Sequence, residues 1–202
     1  MFRRTTALAA TFALLAGAAI AQTQTPAQTP AQTPAQAPVQ TTTPATVDDT
    51  PVDTNIVGAT ATLIDARGEN VGSANIRRTP SGLLLVTVSA SGLERGWHAL
   101  HVHETGKCEP ATGFESAGGH LAAGKKHGVL VEGGPHPGDF PNQMVQDGGQ
   151  MVAEVFNHLL TEEMLFDADG SAIMIHSGRD DYQSQPSGDA GGRVACGVLE
   201  PA

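Results

Sequence analysis

The chain has 202 residues and a formal net charge of −10 at pH 7, from 11 Lys and Arg against 21 Asp and Glu. An acidic balance of this size disfavours non-specific binding to nucleic acid or to anionic lipid, so neither is expected as a partner. After Ile20, no apolar run approaches the about 18 residues that a membrane-spanning helix needs, so we expect no membrane span.

The N-terminus has the features of an export signal. Arg3 and Arg4 precede an apolar run from Ala7 to Ile20, which closes on the small-x-small pattern Ala19-Ile20-Ala21. This order is typical of a secretory signal peptide, here residues 1–21, with cleavage after about Ala21. We therefore expect a periplasmic or extracellular mature protein.

Residues 22–53 repeat Gln, Thr, Pro and Ala, with almost no large apolar side chain. Such a segment cannot offset the entropy lost on ordering its backbone, so we expect a disordered tether without chemistry of its own. Residues 54–202 remain, roughly 150 in all, which is the usual size of one domain.

Alternation of apolar and polar residues predicts strands from residue 55 to residue 104. Turn signals at 67–70, 79–82 and 91–92 divide this region into hairpins. Leu83 to Val88 is the most strand-like run, and residues 150–156 and 171–176 have the same character. The pattern predicts an all-β sandwich or flattened barrel, with Trp97 in its core and a weak helical turn near residues 160–165.

Two stretches lack any apolar period. One lies between Cys108 and Asn142 and is rich in Gly, and the other, residues 177–192, is rich in Gly, Ser and Asp. Loops longer than about 15 residues are usually functional when they occur in a compact domain. We therefore expect chemistry in these loops.

Histidines near the loops could bind metal. His101 and His103 are two residues apart, so on a strand both imidazoles project from one face and can chelate one ion, whereas His98 points to the other face. Taken alone, such a pair could equally be exposed or packed. His176 ends an apolar strand and precedes Asp180 by four residues, so it becomes a ligand candidate only with other ligands nearby.

The first irregular stretch adds His120, His127, His136 and Asp139. Three imidazoles and one carboxylate form a closed tetrahedral set, which suits structural Zn²⁺. Each histidine alone could be a solvated loop residue. Together they favour a metal site, because ligation could order a loop that has no hydrophobic core of its own.

Cys108 and Cys196 are the two cysteines of the chain. In an exported protein one disulfide is the default expectation. A zinc-thiolate site is the alternative, and the lack of a close CxxC partner counts against it.

Four strings together carry a family resemblance: GWHALHVHE at 96–104, AGGH at 117–120, GPHPGD at 134–139 and GGRVACGV at 191–198. They resemble the copper-zinc superoxide dismutases, in matching order over residues 55–199. The resemblance implies a Greek-key β-barrel or sandwich of about eight antiparallel strands with two long functional loops. It also implies copper and zinc as cofactors and the superoxide anion as substrate.

The resemblance implies a role for each candidate residue. The implied copper ligands are His101, His103, His120 and His176, and the implied zinc ligands are His120, His127, His136 and Asp139. The imidazolate of His120 would then bridge the two metals.

Further positions match partners of these ligands. Asp180 matches a carboxylate that hydrogen-bonds one ligand of each metal, here His101 and His127. His98 is expected to form a hydrogen bond beneath the site. Cys108 and Cys196 match the family's intrasubunit disulfide.

Arg193 and His120 are the implied catalytic residues. Arg193 matches the arginine that guides superoxide to copper, and His120 would be released from copper and protonated in the reduced state. The loop 177–192 carries only one basic residue, Arg179, so we expect steering to rest mainly on Arg193.

Two alternatives to an enzyme stay open. A non-catalytic copper- and zinc-binding module could use the same fold, since a fold does not guarantee activity. A structural zinc domain carried on a tether is the other. Arg193 favours catalysis, because a copper store has no need of it, and a structural zinc domain has no need of His101, His103 and His176. A homodimer is possible in either case.

Overall fold

The computed structural model describes residues 58–202. The predicted signal peptide, the predicted tether and the first residues of the predicted domain lie outside the described residues. Among residues 58–202, no helix has the length and apolar character needed to cross a membrane.

Ten strands and one short helix are present in the described part of the chain. The strands are β1 Gly58–Asp65, β2 Asn70–Arg78, β3 Leu84–Ala90, β4 Gly96–His98, β5 Leu100–His103, β6 Gln143–Val145, β7 Met151–Asn157, β8 Ala172–His176, β9 Arg193–Val198 and β10 Glu200–Pro201. The helix is α1, Glu162–Leu165, and two 3-10 turns span Pro110–Thr112 and Glu115–Ala117.

Eight of the strands form one antiparallel sheet in the order β5-β8-β9-β1-β2-β3-β7, with β10 also paired to β1. Strands β4 and β6 form a separate antiparallel pair. The prediction of an all-β fold with about eight antiparallel strands is therefore confirmed. Two long connections remain: the first loop, residues 104–142, joins β5 to β6, and the second loop, residues 177–192, joins β8 to β9.

Alternation along the strands explains the core. In β3, Leu84, Val86 and Val88 are buried and their neighbours are more exposed, because successive side chains point to opposite faces of a sheet. Strands β5 and β8 differ, since every residue in both is buried. Leu100 and Val102 of β5 join the core, so the intervening histidines lie on the other face, beneath the loops.

The first loop runs back along β5. Val102 donates its backbone N–H to the carbonyl of Gly138 (2.8 Å) and accepts from Leu121 (2.8 Å). A Cβ at Gly138 would lie 2.6 Å from the Val102 carbonyl oxygen, so only glycine allows this approach. The loop is thus held against the strand that carries His101 and His103.

A disulfide ties the start of the first loop to β9. Cys108 and Cys196 are joined, with their Cα atoms 5.7 Å apart. A small second cluster surrounds Cys196 and includes Phe114 and Met174, all fully buried. This anchors the loop at the end away from β6.

The prediction that Trp97 lies in the core is wrong. Its side chain is 47% exposed, not part of the core, and the guanidinium carbon of Arg179 lies 5.9 Å from its ring centroid. The reason is that β4 pairs only with β6, so one of its faces meets solvent and His98, not Trp97, points inward.

Candidate metal centre

Six histidines from three parts of the chain converge beside the main sheet. Each is at most 6% exposed: His101, His103, His120, His127, His136 and His176. Strand β5 supplies two of them, the first loop supplies three, and the end of β8 supplies one. Bridge pairings set His120 opposite His103 and Asp139 opposite His101, so the first loop places its ligand candidates against those of β5.

The first cluster contains His101, His103, His120 and His176, and one ring nitrogen from each lies within 4.8 Å of those of the others. His103 Nδ1 donates to the carbonyl of Gly118 (3.0 Å), and His176 Nδ1 donates to that of Gly191 (3.4 Å). Because a carbonyl oxygen only accepts, each Nδ1 carries the proton and each Nε2 presents a lone pair. The two Nε2 atoms lie 3.3 Å apart.

The second cluster contains His120, His127, His136 and Asp139. The Nδ1 atoms of these histidines lie 3.1, 3.1 and 3.2 Å from carboxylate oxygens of Asp139. A tetrahedron with metal–ligand bonds of about 2.0 Å has edges of about 3.3 Å, so the donor atoms have the spacing of a zinc site.

His120 belongs to both clusters. Its ring centroid lies 3.9 Å from that of His101 and 5.2 Å from that of His127. Nδ1 is 3.1 Å from Asp139 Oδ1 of the second cluster, whereas Nε2 is buried without a hydrogen-bond partner and is left for the first cluster. One imidazole thus offers a nitrogen to each site.

Unpaired nitrogens support metal binding. Among the described residues, the buried side-chain atoms without a hydrogen-bond partner are His101 Nδ1, His120 Nε2 and His127 Nδ1. The last is 3.1 Å from Asp139 but lacks hydrogen-bond geometry. A buried polar atom left unpaired costs about 1–3 kcal/mol, so three of them in two clusters fit metal ligation.

Asp180 connects the two clusters. Its buried carboxylate accepts from His101 Nε2 (2.9 Å) through one oxygen and from His127 Nε2 (3.0 Å) through the other. Tyr182 donates its backbone N–H to the second of these oxygens (2.6 Å). Both imidazoles therefore turn their Nδ1 atoms towards the clusters.

Burial favours the neutral form of four of the six histidines. Burial lowers the pKa of His101 to about 4 and that of His176 to about 3. Burial also lowers the pKa of His103 and His136. Neutral imidazole is the form that binds metal, so these ligand candidates need not release a proton at neutral pH.

In the second cluster, the carboxylates of Asp139 and Asp180 oppose the effect of burial on the pKa of His127. Burial acts to lower the pKa of His127, but Asp139 and Asp180 raise it to about 9. Burial acts to raise the pKa of both carboxyls, yet hydrogen bonds from the histidines hold each well below its usual range. This cluster thus concentrates negative charge, which favours a divalent cation.

Arg193 lies at the start of β9 and is tied to the first cluster. Its guanidinium donates to the carbonyls of Phe114 and Gly118, the latter at 2.7 Å. The Gly118 carbonyl is also the acceptor for His103 Nδ1, so one backbone oxygen joins the arginine to a ligand candidate.

His98 is buried, and its ring lies between two backbone oxygens. Its Nδ1 is 2.6 Å from the backbone oxygen of His176, and its Nε2 is 2.7 Å from that of Glu94. It belongs to neither metal cluster.

Two residues that the sequence analysis did not select also face this site. Asn142 and Gln185 bind the backbone of Asp180 and His127 through their side-chain amides. No motif or composition signal marks them, because their partners are backbone groups far away in the chain.

The fold and the paired clusters define a β-barrel metalloprotein with two adjoining metal sites. Residues 70–199 match the family model for copper/zinc superoxide dismutase (SODC). The chain belongs to the copper-zinc superoxide dismutase family. It is an oxidoreductase that acts on superoxide, with copper and zinc as cofactors.

Curated relatives agree with this membership. Superoxide dismutase [Cu-Zn] 2 of Aquifex aeolicus (strain VF5) is 45% identical over 148 residues, covering 70% of this chain and 85% of the relative. Superoxide dismutase [Cu-Zn] of Caulobacter vibrioides is 39% identical over 150 residues, covering 70% and 85%.

Solved structures show the same fold. A SOD-like protein from Bacillus subtilis superposes with a TM-score of 0.64 at 35% identity, covering 70% of this chain and 97% of that chain. The Cu/Zn superoxide dismutase from Brucella abortus has a TM-score of 0.59 at 31% identity, covering 71% and 99%.

Proposed function

We propose that the two clusters divide the work of superoxide dismutation. The first would hold copper through His101, His103, His120 and His176, and the second would hold zinc through His120, His127, His136 and Asp139. The observation that carries this assignment is the shared ring of His120, with one nitrogen in each cluster. A closed set of three imidazoles and a carboxylate suits structural zinc.

Copper, when bound, supplies the one-electron redox change by which one superoxide is oxidised to O₂ and a second is reduced to H₂O₂ with two protons. Neutral nitrogens of His101, His103 and His176 would hold the ion. His120 would hold a proton at Nε2, a buried nitrogen without a hydrogen-bond partner, ready for the second superoxide.

Arg193 would attract the substrate anion. Its guanidinium is held by two carbonyl oxygens beside the copper cluster, so a positive charge has a set position on an acidic molecule. A local charge of this kind raises the encounter rate with a small anion. Arg179, the basic residue of the second loop, lies instead over Trp97.

The test is a reconstitution of the mature domain with copper and zinc, followed by metal analysis and a superoxide assay. We expect one copper and one zinc per chain, turnover that a copper chelator removes, and loss of turnover in His120→Ala. Bound metal without turnover would contradict the catalytic assignment and favour a non-catalytic metal-binding module.

Arg193→Glu tests the steering role separately. We expect the rate to fall about tenfold to a hundredfold with metal content unchanged. Arg179→Glu makes the same charge change and should have a smaller effect, while Arg193→Lys should recover part of the rate. Equal rates for Arg193→Glu and the unaltered protein would refute the role.

We also propose a periplasmic or extracellular location, with residues 1–21 removed, residues 22–53 as a tether and 54–202 as the folded domain. The disulfide supports this location, because disulfides persist in oxidising compartments. N-terminal sequencing of the exported protein should begin near residue 22, and limited proteolysis should leave a fragment starting near 54. A retained N-terminus in the cytoplasmic fraction would contradict the proposal.

A homodimer is the assembly that we propose. Strand β7 ends the sheet order, and its outward-facing Val152 and Phe156 are 80% and 62% exposed. Apolar side chains on an edge strand are suited to pairing with another chain. Sedimentation equilibrium should show a dimer that Val152→Lys weakens, and a monomer at all concentrations would refute this.

A further inference from the structure

Two side-chain amides join the first loop to the second. Asn142, at the end of the first loop, donates from Nδ2 to the backbone oxygen of Asp180 (2.9 Å) and accepts at Oδ1 from the Asp180 N–H (2.8 Å). Gln185, in the second loop, donates from Nε2 to the backbone oxygen of His127 (2.9 Å) and accepts at Oε1 from the His127 N–H (3.0 Å). Each loop thus holds one residue of the other loop through two hydrogen bonds.

The chemistry of the amide group explains this arrangement. Asn and Gln are the side chains that carry a donor and an acceptor on one planar group, so they pair with the N–H and the carbonyl of a residue at once. Two contacts fix orientation as well as distance. Asn142 is further held by its own N–H, which donates to the hydroxyl of Tyr182 (2.7 Å).

The two residues that the amides hold, His127 and Asp180, are hydrogen-bonded to each other. His127 Nε2 donates to Asp180 Oδ1 (3.0 Å), and the other Asp180 oxygen accepts from His101. The amide contacts therefore converge on a carboxylate that hydrogen-bonds one ligand candidate of each metal cluster.

Gly188 packs against the contact between Asp180 and His127. A Cβ at this position would overlap Asp180 Oδ1 and would lie 2.5 Å from His127 Nε2, and its φ of +70° favours glycine. Backbone of the second loop thus packs directly against the hydrogen bond between Asp180 and His127. Any side chain at this position would therefore displace the pair.

We propose that Asn142 and Gln185 are positioning residues that join the two loops, so that the Asp180 carboxylate orients one imidazole of each metal cluster. This inference rests on the proposed metal assignment. The two amides touch no candidate donor atom. They act by holding the backbone from which Asp180 and His127 extend, so their loss should loosen zinc binding and alter the copper site.

The first test is Gln185→Met, which keeps the length of the side chain, adds no charge, and removes both hydrogen bonds to His127 together with a third, local one to the Gln183 carbonyl. Gln185 is exposed, so the fold should tolerate the change. We expect zinc affinity, measured by competition with a chelator, to fall about tenfold, the lower end for residues that orient ligands. Gln183→Met is the matched control two positions away and should leave the affinity unchanged. Equal affinities for the two variants would overturn the proposal.

A double-mutant cycle separates positioning from general loop stability. If Gln185 acts through the contact of Asp180 with His127, Gln185→Met should have little further effect on zinc affinity in an Asp180→Ala background. The same fold-change in both backgrounds would show that the residue acts elsewhere, and the inference would fail.

Asn142→Asp tests the other amide, since aspartate keeps the acceptor and loses the donor. Zinc-loaded Asn142→Asp with copper added should show an altered copper electron paramagnetic resonance spectrum, because Asp180 also orients His101. Asn75→Asp, an exposed position on β2, is the charge-matched control. An unaltered copper spectrum in Asn142→Asp would overturn the link to the copper cluster.

Hydrogen exchange on the metal-free protein makes the test independent of activity. The Tyr182 N–H donates to the Asp180 carboxylate and contacts neither amide group. Its exchange should be faster in Gln185→Met than in Gln183→Met, and equal exchange would contradict the inference. Wild-type protein that binds metal without turnover would refute the proposed function alone.

Discussion

At the scale of single residues, the site depends on which nitrogen of each histidine is already occupied. His103 and His176 use Nδ1 on carbonyl oxygens, while His101 and His127 use Nε2 on Asp180. The remaining nitrogen of each ring is thereby left for metal. Tautomer and ring orientation are thus set by neighbours that never touch the ion.

Asp180→Asn should therefore weaken zinc binding about tenfold to a hundredfold, because an amide has one oxygen and cannot accept from His101 and His127 together. Chelator competition measures the change. Asp189→Asn, an exposed carboxylate of the same loop, is the control and should match the wild type. Unchanged affinity in Asp180→Asn would show that the rings are oriented by something else.

At the scale of elements, β5 and β8 each supply side chains both to the core and to the metal centre. Leu100 and Val102 of β5 pack in the core, and His101 and His103 lie on the opposite face under the first loop. This loop packs Phe114 and Phe140 against the two apolar clusters and is attached through backbone hydrogen bonds to β5 and through the disulfide to β9. Its arrangement therefore depends on attachments to elements elsewhere in the chain.

Replacing both Cys108 and Cys196 by Ala should lower the free energy of unfolding by about 4.6 kcal/mol, the chain-entropy value for a crosslink that closes a loop of this length. The bridge spans 88 residues of sequence. Urea unfolding of the metal-free protein at constant pH measures the difference. A midpoint equal to that of the disulfide-bonded protein would contradict the expected stabilisation.

At the scale of the whole molecule, the metal-free fold carries buried histidines with opposite pH responses. His101 and His176 have pKa values of about 4 and 3, below the ordinary 6.5, so the unfolded chain binds their protons first and stability falls as pH decreases from 6.5. His127 has a pKa of about 9, so its contribution is complete below pH 6.5 and is lost as pH rises towards 9.

The metal-free protein should therefore be most stable near pH 6.5. Asp139 and Asp180, with lowered pKa values, add a further loss as pH falls below 3.8. Thermal unfolding followed from pH 3 to pH 9 should show this maximum. A melting temperature that stays constant between pH 6.5 and pH 4 would show that the histidines do not control acid stability.

Strand alternation was enough to predict the all-β fold, because burial on one face leaves a period of two in the sequence. The prediction for Trp97 was wrong, since side-chain type alone does not show that β4 pairs with a single short strand. Histidine spacing and the family motifs selected the same residues that the fold brings together in the two clusters. Their roles as ligands stay predictions.

Strand period, residue chemistry and motif order are properties of the linear chain, so the sequence was enough to predict the kind of fold, the candidate ligand residues and the family. Only the tertiary structure decided which nitrogen of each ring is free and which residues hold the loops together. Asn142 and Asp180 are 38 positions apart, and Gln185 and His127 are 58 apart. Their bonds go to backbone groups, which every residue type carries, so no residue pattern marks the partner and folding alone brings the pairs together.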